Sequence, residues 1–179
     1  MTSAPKSLST CLSAAVSEFF SANALPGSAS AGDSPKSRNI VAATLGFSGA
    51  QMRGSLLLLC TDQTLLVTHP MREMMPEIPA ADLADWAGEI ANQVVGNLKR
   101  IMATRDKVDF LLGTPTVVKG VDVHQTRGKS GSTEVFTLGW SFGAPGNMAF
   151  TFAVEVAPSV TFDGEPESSQ AQGGDAMLF

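Results

Sequence analysis

The sequence predicts an α+β domain, a mainly antiparallel sheet with helices packed on it. Three observations carry this expectation. Residues 82–105 have the periodicity of one long amphipathic helix. Two pairs of strand-like segments each flank a short turn. A shorter helical stretch comes first, so the order is helix, two or three strands, long helix, three strands, with no internal repeat.

In residues 8–22, Leu8, Leu12, Ala15, Val16, Phe19 and Phe20 share one helical face, and Ser7 or Ser9 is available as a cap. Leu25 to Arg38 is rich in Pro, Gly and Ser and predicts a flexible connector over 26–38. Ile40 to Phe47 and Met52 to Cys60 predict two strands joined through Ser48-Gly49-Ala50-Gln51. Gly54 inside the second run predicts a bulge or a close backbone approach. Thr64 to Thr68 reads as a further short strand or as the edge of a loop. His69-Pro70 breaks the pattern. Residues 70–81 hold three prolines and Met71, Met74 and Met75, whose expected role is gap-filling between helix and sheet.

The long helix follows. At about 100° per residue, Leu83, Trp86, Ile90, Val94, Leu98 and Ile101 fall on one face, flanked by Ala87 and Ala91. Asp85, Glu89, Asn92 and Gly96 fall within roughly 60° on the opposite side, and Asp82 and Arg100 extend that stripe. Acids gather near the start and Lys99, Arg100 and Arg105 near the end, which suits the helix dipole. Asp106 to Asp109 leads out as a solvated loop, although these two residues can also be read as an acid pair. After apolar Phe110-Leu111-Leu112 and Gly113-Thr114-Pro115, Thr116 to His124 predicts a strand, and Arg127 to Ser132 a polar turn. Glu134 to Phe142 and Met148 to Val156 pair through Gly143-Ala144-Pro145-Gly146; Met148, Phe150, Phe152 and Val154 alternate with Ala149, Thr151, Ala153 and Glu155. The domain thus runs over 1–157, and 158–179 reads as an acidic, disordered tail.

Composition narrows the function classes. The chain has 179 residues, 44% of them hydrophobic, and a net charge of −5. The tail alone carries Asp163, Glu165, Glu167 and Asp175 without a Lys or Arg, which leaves about −1 on the body. No basic field is present to attract nucleic acid. Cys11 and Cys60 form no CxxC and read as buried reduced thiols. The longest apolar run, Leu56 to Cys60, is far too short to span a membrane. Leu8-Ser-Thr-Cys11 faintly suggests a lipoprotein cleavage site, but no apolar segment precedes it, so the expected location is cytoplasmic. His69 and His124 have no second His or Cys at metal-ligand spacing; Asp122 and His124 alternate on a strand and read as a polar face. Neither GxSxG nor a Walker A motif is present, and Gly46-Phe-Ser-Gly49 and Gly143-Ala-Pro-Gly146 read as turns. With no activated nucleophile of its own, any catalysis here needs machinery from a partner.

That directs attention to Glu89 and Asn92. Residues i and i+3 are neighbours on a helix surface. A carboxylate and a carboxamide then project together with no loop entropy to lose. The carboxamide both donates and accepts, so it can orient a water molecule; the carboxylate can pair with a partner's lysine or arginine. Gly96, a turn beyond Asn92, leaves room for an approaching surface. Two glycines in one helix, Gly88 and Gly96, cost about 1 kcal/mol each against Ala and imply a packing or docking reason.

The run Asp85-Trp-Ala-Gly-Glu89-Ile-Ala-Asn92-Gln-Val-Val-Gly96-Asn-Leu-Lys99 resembles the ExxN helix of the CheC, CheX and FliY chemotaxis phosphatases, and its spacing is similar to the CheX form in particular. Gly113-Thr-Pro115-Thr-Val-Val-Lys-Gly120 resembles the strand entry that follows this helix in the family, and Gly46-Phe-Ser-Gly49 with Gly54 resembles its early hairpin. The likeness covers roughly residues 8 to 157. One ExxN helix is present, unlike the duplicated CheC arrangement; Gln93 stands where the family often has an apolar residue; the connector and tail look like additions.

The resemblance implies a CheC-like fold with a single ExxN helix, and hydrolysis of the aspartyl phosphate on a CheY-type response regulator. Asn92 would orient the attacking water, Glu89 would pair with the regulator's lysine, and Asp85 and Gly96 would border the docking surface. Mg²⁺ would come with the regulator, the chain holding no cofactor of its own. A homodimer with one site per subunit is implied as well. The alternatives are a docking module for a receiver domain or flagellar component without hydrolysis, and a structural domain whose polar helix face is plain surface.

Overall fold

The computed structural model describes residues 6–35, 37, 39–75, 77–121, 132–160 and 162. Expectations for His124 and Asp122, and for the acids of the tail, lie outside these residues. The elements are helix α1 (Lys6–Ala22), strands β1 (Ser28–Ala31), β2 (Asn39–Ser48) and β3 (Met52–Cys60), helices α2 (Asp62–Thr68) and α3 (Ala80–Arg105), and strands β4 (Leu111–Leu112), β5 (Thr116–Val121), β6 (Glu134–Ser141) and β7 (Asn147–Val156). The architecture is α+β, with all strand pairings antiparallel, as the sequence predicts.

The strand order is β1-β6-β7-β3-β2-β4, and β5 pairs with β2 beyond β4 on the same edge. Pleating sorts the side chains. Val41, Ala43, Leu45 and Phe47 of β2, Leu56, Leu58 and Cys60 of β3, and Met148, Phe150, Phe152 and Val154 of β7 belong to one buried cluster with the inner faces of α1 and α3. Register locks them into rows, with Leu58 opposite both Ala43 and Phe150, and Leu56 opposite both Leu45 and Phe152. On the reverse face Ile40, Ala42, Leu57, Leu59 and Ala149 form a second, smaller buried cluster. Burial on both faces explains why β3 is apolar without alternation from Leu56 to Cys60. Cys11 and Cys60 are buried free thiols, and burial pushes both thiols up from their usual range.

The helix α3 is the spine. Its 26 residues reach about 39 Å. Leu83, Trp86, Ala87, Ile90, Ala91, Val94 and Leu98 are buried, and Ile101 packs partly buried against them. Each large apolar side chain so buried contributes about 1.5–3 kcal/mol. Gly54 meets the expectation of a close approach rather than a bulge: the β2–β3 ladder is continuous, and a Cβ at Gly54 would lie 2.3 Å from the Ala153 carbonyl oxygen and 2.8 Å from Phe47 Cζ.

Several local expectations need correction. Residues 64–68 are part of α2, not a strand: Thr61 caps that helix with its hydroxyl on the Thr64 amide, and the Thr64 hydroxyl returns to the Thr61 amide. The stretch expected as a connector contains β1, whose residues pair with Leu138 to Ser141 of β6. Packing continues past Pro158, since Val160 and Phe162 lie against the core. Of the three methionines, only Met75 packs against the core; Met71 and Met74 are exposed. Asp106 is not solvated, because its side chain is buried beside Arg105; Asp109 is exposed and pairs with Lys99 at 3.2 Å.

Candidate functional site

The outward stripe of α3 runs between two neighbours. On one side α1 lies along the helix, tied by Asn97 Nδ2 donating to the Ala15 carbonyl at 3.3 Å and by the Arg100–Glu18 ion pair. On the other side β5 comes close: a Cβ on Gly88 would meet Val117 Cγ2 at 3.4 Å and Pro115 Cγ at 3.6 Å. These are ordinary van der Waals distances, so α3 lies close beside β5 without the packing requiring a glycine at Gly88. Gly96 is different, since a Cβ there would meet nothing within 4 Å. Its smallness serves no internal packing and leaves the surface open.

All four expected site residues lie on this stripe. Asp85 and Glu89 are exposed, and Asn92 and Gly96 are half-buried. Glu89 and Asn92 are a turn apart on regular helix, so both project from a rigid support. Among the described residues the Asn92 carboxamide has no hydrogen-bond partner, which leaves its donors and acceptor available. Glu89 is partly engaged: Gln93 Nε2 donates to its Oε1 at 2.7 Å, and Gln93 Oε1 accepts from Asn23 Nδ2 at 3.4 Å. The Glu89–Gln93 spacing is legible as an i, i+4 pair. The part played by Asn23, seventy positions away, had no sequence signal.

The other candidates separate from this site. His69 is buried, and its Nδ1 accepts from the Met71 amide at 3.2 Å, which occupies it within its own turn. Asp106 sits at the far end of α3, next to Arg105, with Cys11 accepting from Arg105 at 3.6 Å. Among the described residues no group of three or more His, Cys, Asp or Glu side chains is placed to hold a metal ion. No helix among them is long and apolar enough to cross a membrane.

A sequence model of the family described as chemotaxis phosphatase CheX matches residues 41–137, more than half of the chain. The chain belongs to the CheX family. The matched span runs from β2 through α3 into β6 and so contains the whole outward stripe. No curated protein matches the CheX-family chain. Among solved structures it is similar to the chemotaxis protein CheX from Vibrio vulnificus, at 26% identity and a TM-score of 0.64, over 87% of this chain and 100% of that one. A CheC-like protein from Shewanella sp. PV-4 shares the fold at 19% identity and a TM-score of 0.66, over 85% of this chain and 99% of that one. The fold is shared also with CheX of Borrelia burgdorferi, solved as a CheX–CheY–BeF₃–Mg²⁺ complex, at 13% identity and a TM-score of 0.64, covering 82% and 96% of the two chains.

Proposed function

We propose that this chain is a phosphatase that accelerates hydrolysis of the aspartyl phosphate of a CheY-type response regulator. The observation that carries the reading is the pairing of exposed Glu89 with half-buried, unengaged Asn92 on one rigid helix, beside the open space at Gly96. Family membership supports the reaction class. The Borrelia relative's complex with CheY, BeF₃ and Mg²⁺ supports the choice of partner.

In this reading water attacks the phosphorus, the bond from phosphorus to the acyl oxygen breaks, and the products are the regulator's free carboxylate and inorganic phosphate. The regulator brings the acyl phosphate, its lysine and Mg²⁺, an ion that neutralises charge on the phosphoryl oxygens. The α3 stripe of this chain carries no ligand cluster that would compete for it. Asn92 enters the regulator's site, and its carboxamide holds the water in line. Glu89 pairs with the lysine and sets the register of docking, with Asp85 and Gly96 bordering the contact. The catalytic gain is positioning, because α3 presents both groups without a flexible loop. Two copies of the chain associate, with one stripe each, in the cytoplasm.

Phosphate release from a phosphorylated CheY-type receiver with Mg²⁺ tests this directly. Acceleration over the receiver's own rate is expected, and it should vanish on Asn92→Ala. Binding without acceleration would assign the chain to docking alone. Sedimentation of the purified protein tests the dimer.

A further inference from the structure

Gln93 is half-buried, and both ends of its carboxamide are hydrogen-bonded. Its Nε2 donates to Glu89 Oε1 at 2.7 Å, and its Oε1 accepts from Asn23 Nδ2 at 3.4 Å. Asn23 also donates to the Phe19 carbonyl at 2.8 Å. The orientation of this chain of amides is fixed by chemistry. An ionised carboxylate only accepts, so Gln93 must turn its NH₂ toward Glu89 and leave its oxygen for Asn23. Asn23 is exposed and lies just beyond α1, before Ala24 in the left-handed region at φ 49°. The Asn97–Ala15 bond and the Arg100–Glu18 pair fasten α1 to α3 along the same side.

We infer that Gln93 is a positioning residue that holds Glu89 ready for its partner's cation. This rests on the phosphatase reading above. A glutamate on an open helix surface samples many rotamers, and docking must order it at an entropic cost. The clamp uses one lone pair of Oε1 and leaves Oε2 free for an ammonium group, so Glu89 meets its partner already ordered. The Asn23–Gln93 contact makes α1 part of the site's support, although α1 carries no residue of the site.

The test separates positioning from folding. The Glu89–Gln93 bond is exposed and contributes little to stability, so Gln93→Leu should melt close to wild type. For that variant, the KM for a phosphorylated CheY-type receiver with Mg²⁺, and the Kd for a beryllofluoride-loaded receiver, should rise about twofold, with kcat unchanged. In a Glu89→Ala background the same substitution should add nothing. Gln93→Glu sets a like charge beside Glu89 and should raise KM further, with the excess shrinking in high salt. Asn23→Ala should give part of the Gln93→Leu effect. Side-chain amide NMR reads the clamp itself: the Gln93 NH₂ resonances should move on Glu89→Ala and on Asn23→Ala. Resonances indifferent to Glu89→Ala overturn the inference. So does a Gln93→Leu variant whose KM and Kd are unchanged, or whose kcat alone falls. A wild type that binds the receiver without hydrolysing it removes the catalytic reading, while the Kd arm still decides Gln93. A wild type that does neither removes both.

Discussion

The indole N–H of Trp86 donates to the Thr68 hydroxyl oxygen at 3.0 Å, and both side chains are buried. Thr68 sends its own proton to the carbonyls of Thr64 or Leu65, at 2.9 and 3.1 Å. His69 stands edge-on to the same indole, with ring centroids 5.9 Å apart. This directional bond ties α2 to α3 one turn before Glu89, so the rotation of the site-bearing helix is set by more than apolar contact. Trp86→Phe keeps an aromatic ring and removes the donor. Chemical denaturation should show a loss of about 1–3 kcal/mol.

Asn92→Ala should separate chemistry from association. The side chain is half-buried and makes no described hydrogen bond, so its loss leaves α3 packed as before. Phosphate release should slow by about 10²-fold or more, the scale expected when a group that positions a proton-transferring water is removed. Titration with a beryllofluoride-loaded receiver should give nearly the wild-type affinity. Glu89→Ala, by contrast, should weaken that affinity.

Gly96 offers the opposite separation. With nothing within 4 Å of an added Cβ, Gly96→Ala should stabilise the protein by about 0.5–1 kcal/mol, through helix propensity and a less flexible unfolded chain. Gly96→Trp should fold equally well and yet bind the receiver poorly, because the indole fills the space the partner needs. A thermal melt beside a binding titration shows both effects.

The buried end of α3 predicts a pH dependence. Burial raises the Asp106 carboxyl above the usual carboxylate range, and the Arg105 guanidinium, 3.9 Å away, offsets only part of this. Arg105 Nε and Asp106 Oδ2 are buried without a hydrogen-bond partner among the described residues. A carboxyl that binds its proton more tightly folded than unfolded makes the native state lose stability as pH rises between the two values. The stability of wild type relative to Asp106→Asn should therefore fall as pH climbs from about 4, the unfolded carboxylate value, and level off above the folded one. Urea midpoints across that interval check the sign.

Long-period signals made most of the fold legible. The apolar face of α3 and its polar stripe follow from a 3.6-residue period sustained over seven turns, and both hairpins follow from short turns containing Gly between apolar runs. Short or purely backbone features were not legible. Helix α2 has seven residues, too few for a period, and its capping box closes with Thr64 where Glu or Gln is the usual signal. Strand β1 is Ser-Ala-Ser-Ala, exposed throughout, and exists because β6 offers it a ladder of hydrogen bonds. Within the site, Glu89 and Asn92 could be placed by counting. The Asn23–Gln93 contact depends on how α1 docks, which the local sequence does not encode.

Asp85, Glu89, Asn92 and Gly96 lie within twelve consecutive residues of uninterrupted helix, so their arrangement is set by residue count alone. A single residue inserted between Trp86 and Glu89 would turn everything downstream by about 100° relative to the pinned indole and swing the stripe toward the interior. Point substitutions can be absorbed there one at a time, whereas a change of length cannot. Homologous chains should therefore differ freely in the lengths of their turns and keep an invariant number of residues through the middle of this helix, a constraint of bookkeeping rather than of chemistry.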